Sequence, residues 1–345
     1  MFNEYLEKDE WKIIEKGFNP DNHEKSESIF SLGNGRMGQR ANFEEHYSGN
    51  SLQGNYIAGI YYPDKTKVGW WKNGYPEYFA KVLNACNWIG IDLEVDGVQL
   101  DLAKLKVIDF ERVLDMQGGT LSRSFSVELE AGKILKVEAK RFLSLVDDEV
   151  GAIQYSITPL EFSGTAKIKP YLDFDVTNAD ANWDDKFWEP VSQEVSDASG
   201  VVQSRTKKTG FEAAVAMQYV WTENNKKISV SAKAEEKESY VASAFESKIK
   251  EGHTYTLYKY AGVVSSLNYE ASELSQKAKD AAVRVTKKGF KKMLQEHEVA
   301  WATKWETSDI RIEGDVASQQ GIRFNIFHLN QTFTGVDERL NIGPK

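Results

Sequence analysis

Cysteine is nearly missing from this chain: Cys86 is the only one in 345 residues. That excludes an internal disulfide framework and argues against a structural zinc cluster. Concentrated positive charge is also missing. The net charge is −9, with Lys and Arg scattered along the chain, whereas phosphate binding needs a clustered basic face. Nucleic acid and anionic membrane surfaces are therefore not expected partners. No window approaches 18 consecutive apolar residues, so no membrane-spanning helix is expected. The N-terminus, MFNEYLEKDEW, lacks a basic segment followed by an apolar run, so no signal peptide is read and a cytoplasmic location is expected. There is no internal repeat and no low-complexity segment. The five histidines (His23, His46, His253, His297, His328) show no metal-ligand spacing. No P-loop, nucleophile elbow or Ser/His/Asp arrangement is present, so neither cofactor nor metal is expected.

What is present is ordinary in bulk and rich in rings. Hydrophobic residues make up 41% and charged residues 28%, while aromatics reach 12% with nine Trp. Large sheets or a surface handling flat ligands would use such rings. From about Asp92 to Ser266, short alternating runs are separated by Gly, Asn and Asp. The clearest are Leu135 to Phe142, Ala152 to Ile157, Ala166 to Asp173, Ala213 to Trp221, Ile228 to Ala232 and Thr254 to Val264. Period-two alternation predicts antiparallel strands with one wet face, and so many strands without helices between them predict a large β-sandwich.

The pattern changes near Ser265. Asn268 to Trp305 is built of helix formers. Phe290, Leu294, His297, Trp301 and Trp305 fall on one helical stripe, and Lys287-Lys288-Gly289 divides the region into two helices. A short strand, Asp309 to Glu313, is expected next. A third helix follows, capped at Ser318 and carrying Ile322, Ile326, Leu329 and Phe333. That helix has no later apolar partner in the sequence, which reads as a fragment of a longer protein.

Four features invite chemistry. Gly33-Asn34-Gly35-Arg36-Met37-Gly38 fits the dinucleotide fingerprint G-x-G-x-x-G, but neither a buried strand before it nor a helix after it is apparent. A strand-connecting Asn-Gly turn is the reading adopted. The stretch Gly69 to Phe79, with Trp70, Trp71 and Asn73, interleaves aromatics with polar groups as sugar-contacting loops do. The alternative is a loop that anchors itself on a sheet or another domain. Asn182 to Trp188, with Trp183 and Trp188, is a second sugar-contact candidate. The acids Glu44, Glu45, Asp173, Asp175, Asp184, Asp185 and Glu189 read as solvated loop carboxylates. Asp173 and Asp175, two apart at a strand end, also have the spacing of a metal or acid/base pair. His297 and His328 lie on helical stripes and read as packed rather than catalytic.

The long block ESIFSLGNGRMGQRANFEEHYSGNSLQGNYIAGIYYPDKTKVGWWKNGYPEYF, then Leu114-Asp115-Met116, LSRSF, SQQGIRFNIFHLNQTF and DERLNIGPK, together resemble glycoside hydrolase family 65 over essentially the whole chain. GWWKNGYP is similar to its maltose-cleaving branch rather than its trehalose or kojibiose branches. The resemblance implies a mainly β fold: a β-sandwich over 1–266, a helical linker over 267–315, and the first helix of a truncated (α/α)6 catalytic barrel over 316–345. It implies reversible inverting phosphorolysis, maltose and phosphate giving β-glucose 1-phosphate and glucose, and a homodimer. The family's catalytic Glu and phosphate site would fall beyond Lys345. No Glu here, Glu338 included, is then the general acid, and the chain alone is expected to be inactive. Asn341 to Lys345 would lead toward the sugar-binding loops. A free-standing carbohydrate-binding sandwich using the Trp70-Trp71 and Trp183-Trp188 loops is the alternative, and a phosphorylase for another glucobiose or a related hydrolase a further one.

Overall fold

Alternation along each strand decides which side chains meet between the sheets. In the computed structural model, which describes residues 5–66, 74, 76–178 and 185–340, strand Thr120–Glu128 buries Leu121, Arg123, Phe125 and Val127. It leaves Ser122, Ser124 and Ser126 on the opposite face. The same rule repeats across an eleven-stranded antiparallel sheet. Its order is Leu6–Lys8, Lys12–Lys16, Lys106–Asp115, Thr120–Glu128, Ile134–Leu143, Val150–Pro159, Tyr255–Ser265, Glu212–Glu223, Ser199–Thr206 and Trp188–Ser196. Lys226–Lys227 pairs beside Glu212–Glu223. A five-stranded sheet (Lys233–Lys237, Tyr240–Ile249, Gly164–Asp173, Ile91–Val95, Val98–Gln99) faces it. Phe125, Val137, Tyr155, Trp221 and Leu257 from the large sheet pack with Leu93, Ile168, Leu172 and Phe245 from the small one in one core. The fold is the mainly β sandwich that the alternation predicts.

Two smaller pieces precede the sandwich core in sequence. Leu32–Gly33, Met37–Gln39 and Asn55–Ile57 form a three-stranded sheet. Tyr61–Lys65 and Tyr78–Val82 form a two-stranded ribbon. Helix α1 (His23–Ile29) lies before them. Helices α2 (Leu274–Lys288), α3 (Phe290–Ser308) and α4 (Val316–Thr332) follow the sheets. Gly289, at φ +81°, separates α2 from α3 where the sequence places the break, because an L side chain rarely adopts that backbone conformation. Four of the five residues of the α3 stripe, Phe290, His297, Trp301 and Trp305, are buried; Leu294 is half-buried and Met293 beside it is buried. Among the described residues no helix is long and apolar enough to cross a membrane.

Three local expectations are corrected. Ile228 to Ala232 is not a strand; the pairing residues are Lys226–Lys227 and Lys233–Lys237 on either side of it. Asp309 to Glu313 pairs with no strand. The Gln319 side chain serves it instead, accepting from Ile312 N at 2.6 Å and donating to Ile310 O at 2.8 Å. Helix α4 begins earlier than expected, with Asp315 as its cap. Asp315 Oδ1 accepts from Ala317 N and Ser318 N, and Ser318 adds a hydroxyl bond to the Asp315 carboxylate. A carboxylate cap outcompetes a hydroxyl three residues on because its charge also suits the helix N-terminus.

Helix α2 sits directly on the outer face of strand Tyr255–Ser265. A Cβ at Gly262 would lie 2.4 Å from the Ala278 carbonyl oxygen and 2.9 Å from Ala281 Cβ. Neither atom belongs to a flexible side chain, so the helix itself must shift. Gly262→Ala is expected to lower unfolding free energy by about 1–3 kcal/mol, read as the shift of a urea transition followed by circular dichroism.

Candidate functional site

The glycine motif is a hairpin, and its residues show why. Gly33 ends one strand and Met37 starts the next, with Gly35 at φ +84° between them. The Asn34 side chain closes the turn, accepting from Arg36 N at 3.1 Å and Met37 N at 2.7 Å. Its amide nitrogen donates to Ser144 O and Asp148 O at 2.8 and 3.0 Å. No helix follows, so no dipole end is available to cradle a pyrophosphate. The glycines allow close approach instead. Gly35 N donates to Gln331 O at 2.7 Å, and a Cβ on Gly33 or Gly35 would meet Gln331 O at 3.0 Å or Thr334 Oγ1 at 2.6 Å. Gln331 Nε2 returns a bond to Ser31 O at 3.3 Å. Arg36 pairs with Asp148 at 3.0 Å. Arg339 donates to Leu267 O and Asn268 Oδ1, both at 2.5 Å. The hairpin, the 145–148 turn, the end of α4 and the 334–340 segment thus converge in one seam.

Behind the seam lies a buried charge cluster that the sequence reading missed. Glu44 and Glu45 are each 3% exposed, which corrects their reading as solvated loop acids. Arg123 Nη2 donates to Glu44 Oε2 and Glu45 Oε2, both at 2.6 Å, and Arg123 Nη1 bonds Glu45 as well. Arg141 bonds Glu44 and donates to Asn42 O at 2.9 Å and Arg40 O at 3.1 Å. Burial pushes the Glu44 carboxyl up, but the Arg141 and Arg123 guanidiniums outweigh it and hold it below the usual carboxylate range. A second cluster adjoins α1. His23 Nε2 faces Glu27 Oε1 at 3.1 Å, Arg112 Nη2 lies 3.2 Å from His23 Nδ1, and Arg112 reaches Glu15 at 3.4 Å. Burial lowers the His23 pKa. The available signal was parity: Arg123 and Arg141 fall in the inward register of their strands, and inward guanidiniums require buried carboxylates.

The other candidates divide plainly. Asp173 is no partner of Asp175 in metal or acid/base chemistry. Its Oδ1 accepts the Asp175 amide at 2.8 Å and closes the strand end, while Asp175 is exposed and ion-paired to Lys186. Glu189 pairs with Arg205 at 2.7 Å on the surface. Among the described residues no group of three or more His, Cys, Asp or Glu side chains could hold a metal ion. Trp188 is buried, its indole N–H donating to Asn84 O at 2.8 Å and its ring against Phe174 at 4.7 Å. Its use here is packing. Trp70, Trp71, Asn73, Trp183, Asp184 and Lys345 lie outside the described residues. The ribbon that flanks Trp70 and Trp71 presents exposed Tyr61, Tyr78 and Phe79. His297 is fully buried. Its Nδ1 accepts from Leu145 N at 3.2 Å, and its Nε2 donates to Gly119 O at 3.0 Å. Burial lowers its pKa to about 4, and that of His328 likewise to about 4. Both are packing groups, as the sequence reading has them.

Two face-to-face antiparallel sheets, one overlaid by C-terminal helices and joined to them by a glycine hairpin, define a large β-sandwich protein whose charged clusters serve packing. Residues 13–304 match the family model described as glycosyl hydrolase family 65, N-terminal domain, and the chain belongs to that family. It is 41% identical to maltose phosphorylase of Bacillus subtilis (strain 168), over 100% of this chain and 45% of that protein. It is 34% identical to alpha,alpha-trehalose phosphorylase of Thermoanaerobacter brockii, over 98% of this chain and 44% of that one. A solved structure from the human microbiome, provisionally named a kojibiose phosphorylase, superposes with a TM-score of 0.88 at 27% identity. It covers 99% of this chain and 44% of its own. The chain thus spans less than half the length of these relatives.

Removing Arg123 would strand the buried Glu45 carboxylate and leave Glu44 to Arg141 alone. Arg123→Met is expected to destabilise by about 3–5 kcal/mol, measured in urea, with the loss partly recovered in Arg123→Met/Glu45→Gln. His297 yields a pH prediction. Its folded pKa lies below its unfolded value of 6.5, so the unfolded chain takes the proton first as pH falls. Stability therefore declines between pH 6.5 and about 4, by up to about 3 kcal/mol for this group. His328 adds a decline of the same sign. His297→Gln is expected to flatten the stability profile in that window while leaving the His328 share.

Proposed function

We propose that this chain is the N-terminal part of a cytoplasmic disaccharide phosphorylase that cleaves maltose with inorganic phosphate, without catalysing the reaction itself. The observation that carries this is the identity to maltose phosphorylase, which extends across the whole chain but across only 45% of that relative. Inverting cleavage of a glycoside ordinarily needs a carboxylic acid to protonate the leaving oxygen and a carboxylate to activate water on the opposite face. Phosphate is already an anionic nucleophile, so one acid and an anion-binding site suffice. We place both beyond residue 345. The described Glu side chains support this: Glu44, Glu45 and Glu27 are consumed in buried ion pairs.

In this reading residues 1–266 form the sandwich, 267–315 the linker, and 316–345 the start of the catalytic barrel. Val316, Leu329, Phe333 and Val336 are exposed along that last stretch, an apolar surface suited to cover by further helices. The sandwich would brace the barrel and contribute to a homodimer. Trp70, Trp71, Asn73, Trp183 and Lys345 would lie toward the substrate side, with Trp188 anchoring the loop behind Trp183.

A second reading, a sandwich that binds carbohydrate by itself, draws on the exposed Tyr61, Tyr78 and Phe79 of the ribbon whose connecting sequence holds Trp70 and Trp71. Phosphate-dependent glucose release from maltose, trehalose and kojibiose is the test. The 345-residue chain is expected to release none, and the protein extended through the length of its relatives is expected to act on maltose first. Glucose release by the chain alone would overturn the proposal. Saturable quenching of tryptophan fluorescence by maltose, lost in Trp70→Ala or Trp183→Ala, would favour the second reading.

A further inference from the structure

The outer face of the large sheet changes character along a line that crosses four strands. On one side, register aligns Phe142, Ala152 and Tyr260 in one row, and Val150, Gly262 and Ala216 in the next. These small or apolar residues lie under α2 and the start of α3. Tyr260 fixes that edge, its hydroxyl accepting the Phe290 amide at 3.0 Å. On the other side the outward residues of those four strands and of Thr120–Glu128 become mostly hydroxyl and amide bearing, again in register. One row runs Ser122, Lys140, Gln154, Tyr258, Val220, and the next Ser124, Glu138, Ser156, Thr256, Thr222. Of these ten, Tyr258 packs against the apolar cluster at the start of α3. Together the ten floor a groove of about 1140 Å³ walled by residues 288–295.

The composition of the groove points to one ligand chemistry. Ser156 and Thr256 lie deepest and are satisfied by each other at 2.8 Å. Ser122, Ser124, Gln154 and Tyr258 stay half-buried, and their side chains make no hydrogen bond to another described residue. An unbonded amide and hydroxyls are suited to sugar hydroxyls, and the Tyr258 ring, 5.8 Å from Phe290, supplies an apolar face for sugar C–H groups. Three of the charges nearby are committed. Lys288 and Lys292 both reach Glu296, at 2.7 and 3.8 Å, and Glu138 pairs with Lys136 at 2.9 Å. Lys140, Lys291 and Glu111 also line the groove and make no salt bridge to another described residue. A small-molecule site holds roughly 300–1,000 Å³, so this groove exceeds one disaccharide. Each row crosses five strands at about 4.8 Å intervals, which repeats the polar groups along an extended ligand.

We propose that this groove binds a neutral, extended oligosaccharide, at a site separate from the hairpin seam and from the ribbon of Tyr61–Lys65 and Tyr78–Val82. The inference rests on the sheet face and not on the phosphorolysis reading. Calorimetric titration of the full chain with maltose, maltohexaose and a sulfated hexasaccharide tests it. Maltohexaose is expected to bind saturably, about tenfold or more tighter than maltose, with little change between low and high salt. Gln154→Ala and Tyr258→Ala are each expected to weaken binding about three- to tenfold, and Ser124→Trp to block it. Ser124→Trp places bulk on a half-exposed position, so its thermal transition should match that of the parent. The proposal is overturned if maltohexaose does not saturate the chain or if the sulfated sugar is preferred in a salt-sensitive manner. It is equally overturned if the groove variants bind like the parent while Trp70→Ala does not.

Discussion

The bidentate grip of Arg123 on Glu44 and Glu45, shared with Arg141, is the contact on which the arrangement of the first hundred residues depends. The 40–54 segment has no regular secondary structure, so its backbone cannot be located by ladder hydrogen bonds. Two guanidiniums projecting inward from neighbouring strands locate it instead. Arg141 reaches the carbonyls of Arg40 and Asn42, and Arg123 stacks over the Phe43 ring at 4.2 Å. Such a cluster adds less net stability than its bond count implies, because desolvation offsets the attraction, but breaking it is costly. Its product is specificity of position: it holds the segment that follows the glycine hairpin against the large sheet.

From that anchor the rest follows by layers. The hairpin abuts the end of α4, α4 follows α3 through a segment braced by Gln319, and α2 and α3 lie across part of the outer sheet face. The two sheets themselves are tied by a buried lysine. Lys259 Nζ donates to Gly90 O at 2.8 Å and Tyr171 O at 2.7 Å, and burial lowers its pKa to about 7. The large sheet thus carries two different polar burdens: paired ions on its inner face, and uncommitted hydroxyls and amides on part of its outer one.

The alternating strands, the Gly289 break and the α3 stripe were legible in the sequence because each is a local periodicity. The Asn34-Gly35 turn was legible because a positive-φ glycine after an asparagine is a local conformational demand. Ile228 to Ala232 misled because its alternation was real while its pairing partners lay elsewhere. Strand pairing is a property of two segments, not one. Glu44 and Glu45 misled for a related reason. Adjacent acids in a glycine-rich, turn-like stretch look solvated until Arg123 and Arg141, about 80 and 100 positions later, are folded over them.

By itself the sequence determined the class of element at most positions, the order of sheet then helix, and the family, because these depend on neighbours within a few residues or on motifs spelled out in the chain. Only the tertiary structure decided which charges are buried, that Trp188 is a packing group, that Asp173 closes a strand rather than meeting a metal, and where the helices stop short of covering the sheet. Each of those depends on the distance between residues far apart in sequence, and on solvent exposure, which no local pattern encodes.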